Sequence, residues 1–216
     1  MADRWNPSPE NMTTQRTKDY RSARPYIHDG DVLLFRRRRG LAGKLIATAG
    51  RSPYSHAAMA AWWRGRLMCL ETLQSCGGRA VLLSNLVEEG DAEIDVFSIK
   101  TWRRVRQKDR QAAVEAMLEI TGRKYGWWAL LKAAIRHLPI VRLFAPVITD
   151  DEADGELPFC SQAVAWAWRR AGLDLVPKLA DRLTEPGDLA RSAALKYRFT
   201  LRPHSKMPAP ADQEVA

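Results

Sequence analysis

Cysteine is scarce in this sequence: Cys69, Cys76 and Cys160 are the only three in 216 residues. They form no C-x-x-C pair and no cluster with histidine, which argues against a disulfide framework and against a zinc site. Free thiols are easiest to keep in a reducing compartment. Met1 to Pro7 lack an apolar signal region, so ordinary secretion is not expected. Long uninterrupted apolar runs are missing too. Trp127 to Val147 is apolar but broken by Lys132, Arg136, His137, Pro139, Arg142 and Pro146, which argues against a membrane-spanning helix. Acidic side chains are the minority, 25 against 34 Lys and Arg, for a net charge of +9. Such a surface favours anionic neighbours (membrane headgroups, cell-wall polymers or nucleic acid) or serves solubility alone. No recognisable nucleic-acid motif accompanies the charge, so no specific nucleic-acid partner is expected.

What is present is the material of one folded domain. Hydrophobic residues make up 46% of the chain, eight of them tryptophan. Residues 1–28 are polar, with Pro7, Pro9 and Pro25, and read as a flexible arm. The domain is expected over residues 29–202, and the Pro/Ala-rich residues 203–216 read as a disordered tail. Val32 to Phe35 reads as a short buried strand, followed by the charge run Arg36 to Arg39. Leu41 to Ala49 reads as a helix stopped at Gly50. His56 to Trp63 and Leu67 to Leu73 read as the strands of a hairpin closed around Arg64, Gly65 and Arg66. Gly77 and Gly78 break the chain, Val81 to Leu83 reads as an extended piece, and Glu93 to Ile99 alternates like a half-buried strand. The second half turns helical. Asp109 to Thr121 carries Ala113, Val114, Met117, Leu118 and Ile120 on one side and stops at Gly122. A last strand is expected over Tyr197 to Leu201.

Cys160 opens an apolar helix that runs to Gly172. Unpaired N–H groups and the positive end of the macrodipole lower a thiol pKa there and favour the nucleophilic thiolate. A buried inert cysteine would look the same in this window. His56 stands at the mouth of the first hairpin strand and Glu71 on its partner. In a suitable register the carboxylate orients the imidazole, and with Cys160 the set is nucleophile, base and orienter for acyl transfer. Each residue alone also fits a role in the core or on the surface.

Four motifs in order carry a resemblance. They are Gly30 to Phe35, Ser52 to Met59, Leu70-Glu71-Thr72 and Phe159-Cys160-Ser161-Gln162. The chain resembles the circularly permuted NlpC-like papain-fold group, the YiiX-like cysteine amidases and peptidases related to lecithin:retinol acyltransferase. The resemblance spans about residues 29 to 193 and includes Pro186-Gly187-Asp188-Leu189, similar to that group's closing P-x-D-L. It implies Cys160 as nucleophile, His56 as general base and Glu71 as orienter. Gly122 to Gly126 resembles the group's G-x-x-Y element, in which Tyr125 borders the active site; core packing serves Tyr125 equally. Substrate-binding candidates are thus Tyr125, Tyr54 and Ser161. Gln162 stands where that group often has Glu, and Ala57-Ala58-Met59 is smaller than its usual V-G-I run.

The expectation is therefore an α+β, permuted papain-like fold: an antiparallel sheet of about five or six strands packed against the Cys160 helix. The expected activity is hydrolysis of an amide or peptide bond, in bacterial cell-wall peptide material, through a Cys160 thioester. No metal or organic cofactor is implied. The protein would be cytoplasmic as synthesised, or reach the envelope by another route such as a phage particle. Two other functions stay open. One is a lipid amidase or acyltransferase at an anionic membrane surface, suited by Trp127 to Arg136. The other is a non-catalytic basic binding module on the same fold.

Overall fold

The computed structural model describes residues 17–37, 52–73, 75–100, 104–123, 160–177 and 179–202. The strands are β1 (Thr17–Lys18), β2 (Val32–Arg37), β3 (His56–Trp63), β4 (Arg66–Leu73), β5 (Gly77–Leu82), β6 (Ala92–Ile99) and β7 (Leu195–Leu201). The helices are α1 (Tyr20–Ala23), α2 (Leu83–Glu89), α3 (Gln107–Glu119), α4 (Cys160–Arg170) and α5 (Pro186–Arg191), with 3-10 turns at Arg24–Tyr26 and Asp181–Leu183. The strands form one seven-stranded sheet in the order β1-β7-β6-β2-β3-β4-β5, which makes the molecule α+β. The pairs are antiparallel except β1 with β7, which is parallel. The sheet is therefore larger than the five or six strands expected, and not purely antiparallel.

Local chemistry explains the central hairpin. Arg64 and Gly65 both take positive φ, 47° and 73°, and Trp63 pairs with Arg66 across them. A two-residue turn with two left-handed residues matches the twist of the flanking strands. Gly78 explains why a strand begins where the glycine pair suggested a break. A Cβ at Gly78 would collide with the carbonyl oxygen of Ile120, because Gly78 forms a parallel bridge to Thr121. Gly78 also donates to Arg123 O at 3.0 Å and accepts from Gly122 N at 2.8 Å. Glycine here permits a close backbone approach inside a sheet.

Both faces of the sheet are covered. Val32, Leu34, Ala57, Met59, Leu70 and Phe97 pack with α3 and α4 on one side. Leu33, Ala58, Ala60, Cys69 and Val96 pack on the other with Ala23, Ile27, Leu83 and Val87. Residues 17–28, expected as part of a flexible arm, are thus built into the fold: β1 pairs with β7, and Ala23 and Ile27 are buried. Leu83, expected in an extended piece, opens α2, and its burial with Val87 supplies part of the second cover. For the same reason β6 is not half-buried. Ile94 through Ile99 are all buried, polar Asp95 and Ser98 included.

Asp95 tolerates that position because it is fully partnered. It accepts from Arg36 at 2.7 Å, Thr200 Oγ1 at 2.6 Å and Tyr54 Oη at 2.6 Å. Arg36 and Arg37 belong to β2, so the charge run begins inside a strand. The helix expected over Leu41 to Ala49, the segment Trp127 to Val147, and the residue 203–216 tail lie outside the described residues.

Candidate active site

Three elements that are remote in sequence converge at one end of the hairpin. His56 is the first residue of β3, paired with Phe35 on β2, and its ring packs against the Phe35 ring with centroids 5.1 Å apart. The pairing of Met59 with Leu70, continued by one step, puts Glu71 opposite Ala58. Glu71 is thus on the His56 side of the hairpin and diagonal to it, within reach of a long side chain. His56 Nε2 and Glu71 Oε2 are 2.5 Å apart. The expected relationship is present, across a diagonal rather than a direct pair.

Glu71 is only 3% exposed, and a carboxylate buried alone would be costly. Its second oxygen is held from the far side. Arg79, directly opposite on β5, donates from Nε to Glu71 Oε1 at 2.8 Å. Burial pushes the Glu71 pKa up, but bonds and charge from His56 and then Arg79 overrule it and leave the value below the ordinary carboxylate range. Arg79 is the site residue that the sequence reading missed. Opposite charges at paired positions would have marked it, had Gly77–Leu82 been read as a strand.

Cys160 reaches this pair from the first turn of α4. The helix packs tightly because its inward face is small, with Ala163 and Ala167 buried near Ala57 and Ala61. Trp168 anchors the far end: it is fully buried and donates Nε1–H to Gly30 O at 3.1 Å. The Cys160 thiol and the His56 side chain are close enough to shift each other's pKa. With Nε2 committed to Glu71, Nδ1 is the nitrogen left for the sulfur. Burial raises the thiol pKa. The His56 charge and bond, then the backbone N–H groups of Ala57 and Ser161, outweigh it and bring the thiol below its ordinary value. His56 shows the complement. Burial alone would depress its pKa, but Cys160 and then Glu71 raise it to about 9. The two shifts act in the same sense: each partner favours the charged form of the other, a thiolate beside an imidazolium.

The other candidates are placed differently. Ser161 turns its hydroxyl inward to Thr184 O at 2.7 Å and contributes its backbone N–H to the sulfur. Tyr54 lies two residues before His56, but its hydroxyl donates to Asp95 and its ring meets Phe97 edge-on. Tyr125 lies outside the described residues. Gln162 is buried and donates to Arg182 O, tying α4 to the following loop. Among the described residues no group of three or more His, Cys, Asp or Glu side chains is arranged to hold a metal ion.

The architecture has a counterpart among solved structures. The crystal structure of metalloprotein yiiX from Escherichia coli O157:H7 superposes with a TM-score of 0.58 over 80% of this chain and 96% of that one. The likeness is one of fold. At 13% identity it carries no chemistry across. That protein is named as a metalloprotein; among the described residues of this chain Glu71 is engaged by His56 and Arg79 rather than gathered with other metal-ligating side chains. No protein-family model matches the sequence, and no curated protein matches it. No helix among the described residues is long and apolar enough to cross a membrane.

Proposed function

We propose that this protein is a cysteine hydrolase that cleaves an amide or peptide bond through a thioester on Cys160. The observation that carries the reading is the continuous line Cys160, His56, Glu71, Arg79, in which each member sets the charge or orientation of the one before it. An inert buried cysteine has no physical need of an imidazole held on its far side by a buried, doubly bound carboxylate.

In this mechanism the Cys160 thiolate attacks the acyl carbon, forming a C–S bond and a tetrahedral oxyanion. The backbone N–H of Cys160 helps stabilise that oxygen. As the C–N bond breaks, the His56 imidazolium gives its proton to the departing amine. Neutral His56 then takes a proton from water, whose oxygen attacks the thioester carbonyl. The C–S bond breaks, the acid leaves, and the thiolate beside imidazolium is restored. Glu71 stabilises the imidazolium without taking its proton, and Arg79 keeps Glu71 ionised and in place.

The permuted papain-like group that the motifs resemble points to bacterial cell-wall peptides as the substrate class, with Tyr125, the Tyr54 ring and the Ser161 backbone, rather than the committed hydroxyls of Tyr54 and Ser161, as proposed contacts to it. Cys160→Ala should abolish turnover of purified muropeptides while circular dichroism stays unchanged. Substantial residual turnover would remove Cys160 from the mechanism. Turnover confined to acyl-lipid vesicles would instead favour a lipid amidase or acyltransferase. A lack of turnover on any amide or ester panel would favour a binding module.

A further inference from the structure

The opposite end of the β3–β4 hairpin carries a second concentration of chemistry that the hydrolytic site does not use. Here α1, the tip of the hairpin and the start of α2 surround a cleft of about 350 Å³, lined by Arg21, Arg24, Arg66, Tyr20, Leu67 and Ser84. Arg24 is held in place: it donates to Gly65 O in the hairpin turn, and its guanidinium lies 4.7 Å from the Trp62 ring centroid. None of Arg21, Arg24 and Arg66 forms an ion pair with a described residue. Glu88 of α2 faces Tyr20 and the Asp19 carboxylate caps α1 beside Arg21, so the three guanidinium groups outnumber the two carboxylates.

The most exposed aromatic side chains among the described residues belong to the segments that supply these arginines: Trp63 pairs with Arg66 across the hairpin turn, and Tyr26 closes the 3-10 turn that Arg24 opens. Trp63, at the end of β3, is 61% exposed, and Tyr26 is 54% exposed. Arg64 in the turn is exposed as well, and Lys18 lies 4.8 Å above the Tyr26 ring. Phosphate-binding guanidinium groups account for half of this arrangement. A soluble phosphate ester would use the arginines and leave Trp63 and Tyr26 in water. A bilayer surface uses both, because the headgroup layer takes cationic side chains while an amphipathic ring settles at the boundary below them.

We propose that the hairpin tip is a docking surface for a bilayer rich in anionic phospholipid. Arg21, Arg24, Arg64 and Arg66 would engage headgroup phosphates, with Trp63 and Tyr26 at the interface. Trp63 stands seven residues beyond His56 along β3, roughly 23 Å on an extended strand. Docking therefore holds the candidate site away from the lipid, facing material outside the bilayer, and does not depend on any activity of Cys160.

Vesicle co-sedimentation of the full chain tests this. Binding should be strong to phosphatidylcholine vesicles containing 30% phosphatidylglycerol, weak to phosphatidylcholine alone, and little affected by millimolar inorganic phosphate. Arg21→Gln with Arg66→Gln should weaken binding about 25-fold, at about fivefold for each charge near the surface. Trp63→Ala, which leaves net charge unchanged, should weaken it several-fold. Lys108→Gln with Lys196→Gln removes the same charge from exposed positions elsewhere and should have little effect. No binding to anionic vesicles would overturn the proposal. So would a control pair that weakens binding as much as the arginine pair, or indifference to Trp63→Ala. Abolition by inorganic phosphate would assign the cleft to a soluble phosphate ligand instead.

Discussion

Arg79 and Glu71 stand opposite each other on β5 and β4, and two guanidinium nitrogens of the arginine, Nε and Nη2, meet the same carboxylate oxygen at 2.8 and 2.6 Å. That leaves Glu71 Oε2 free for His56 Nε2. Arg79 is thus a positioning residue, acting on the imidazole through the carboxylate.

Arg79→Gln should lower the rate of thioester formation roughly tenfold, equivalent to about 1.4 kcal/mol. It should also move the acid limb of the pH–rate profile to higher pH, because one of the influences that lowers the Glu71 pKa is lost. Arg79→Lys keeps the charge and should restore part of both. A rate loss with an unmoved acid limb would mean that Arg79 only braces the strand.

Thiol alkylation should report the coupled pair. Cys69 is buried and Cys76 exposed, so a Cys76→Ser background isolates Cys160. In that background alkylation should set in at lower pH than for an ordinary thiol, since the imidazolium favours the thiolate. His56→Ala removes the charge and should shift the profile to higher pH; Glu71→Gln should shift it less. Turnover should decline on the alkaline side near pH 9, where His56 loses its proton. A Cys160 profile indifferent to His56 would end the hydrolytic reading.

Glu71 also makes an acid-stability prediction. Its folded pKa lies below its unfolded value. Its contribution is therefore fully present above the unfolded value of about 4.3 and is lost as pH falls through the folded pKa. Denaturant midpoints should drop less steeply below about pH 4.3 in Glu71→Gln than in the parent, although the variant is the less stable of the two at pH 7. Parallel acid limbs would show that another carboxylate governs the transition.

Gly30 couples the start of the sheet to the far end of the cysteine helix. Its φ is +76°, and an added Cβ would sit 2.6 Å from Trp168 Cζ2. Gly30→Ala should cost roughly 3 kcal/mol from overpacking and backbone strain together. It should also slow Cys160 alkylation at neutral pH if the displacement of Trp168 carries along α4. Normal stability with normal alkylation would show that the Trp168 contact has slack.

How much of this was legible in the sequence depends on how far apart the deciding residues lie. Val32 to Phe35, the two hairpin strands, the Asp109 to Thr121 helix and the helix opening at Cys160 were all readable, because periodicity and turn chemistry act within windows of a few residues. The hairpin reading also brought Glu71 near His56, since one tight turn joins their strands. The sequence alone therefore named the three residues that meet, from their chemical types and their order along the chain.

Tertiary structure decided what surrounds them. The glycines that looked like a break in the chain begin β5, because the backbone of residues 120–123 passes against Gly78. No local window contains both segments, so Arg79 could not be seen as the partner of Glu71. Arg36 was one member of a four-arginine charge run until Asp95, 59 residues away, was placed beside it. The burial of the second face of β6 likewise needed Ala23 and Ile27 from a distant segment, together with Leu83 and Val87 from the helix just before it. A buried charge is tolerated only when its counter-charge is present, and for both Glu71 and Asp95 that counter-charge arrives on another strand, through the packing of the whole sheet.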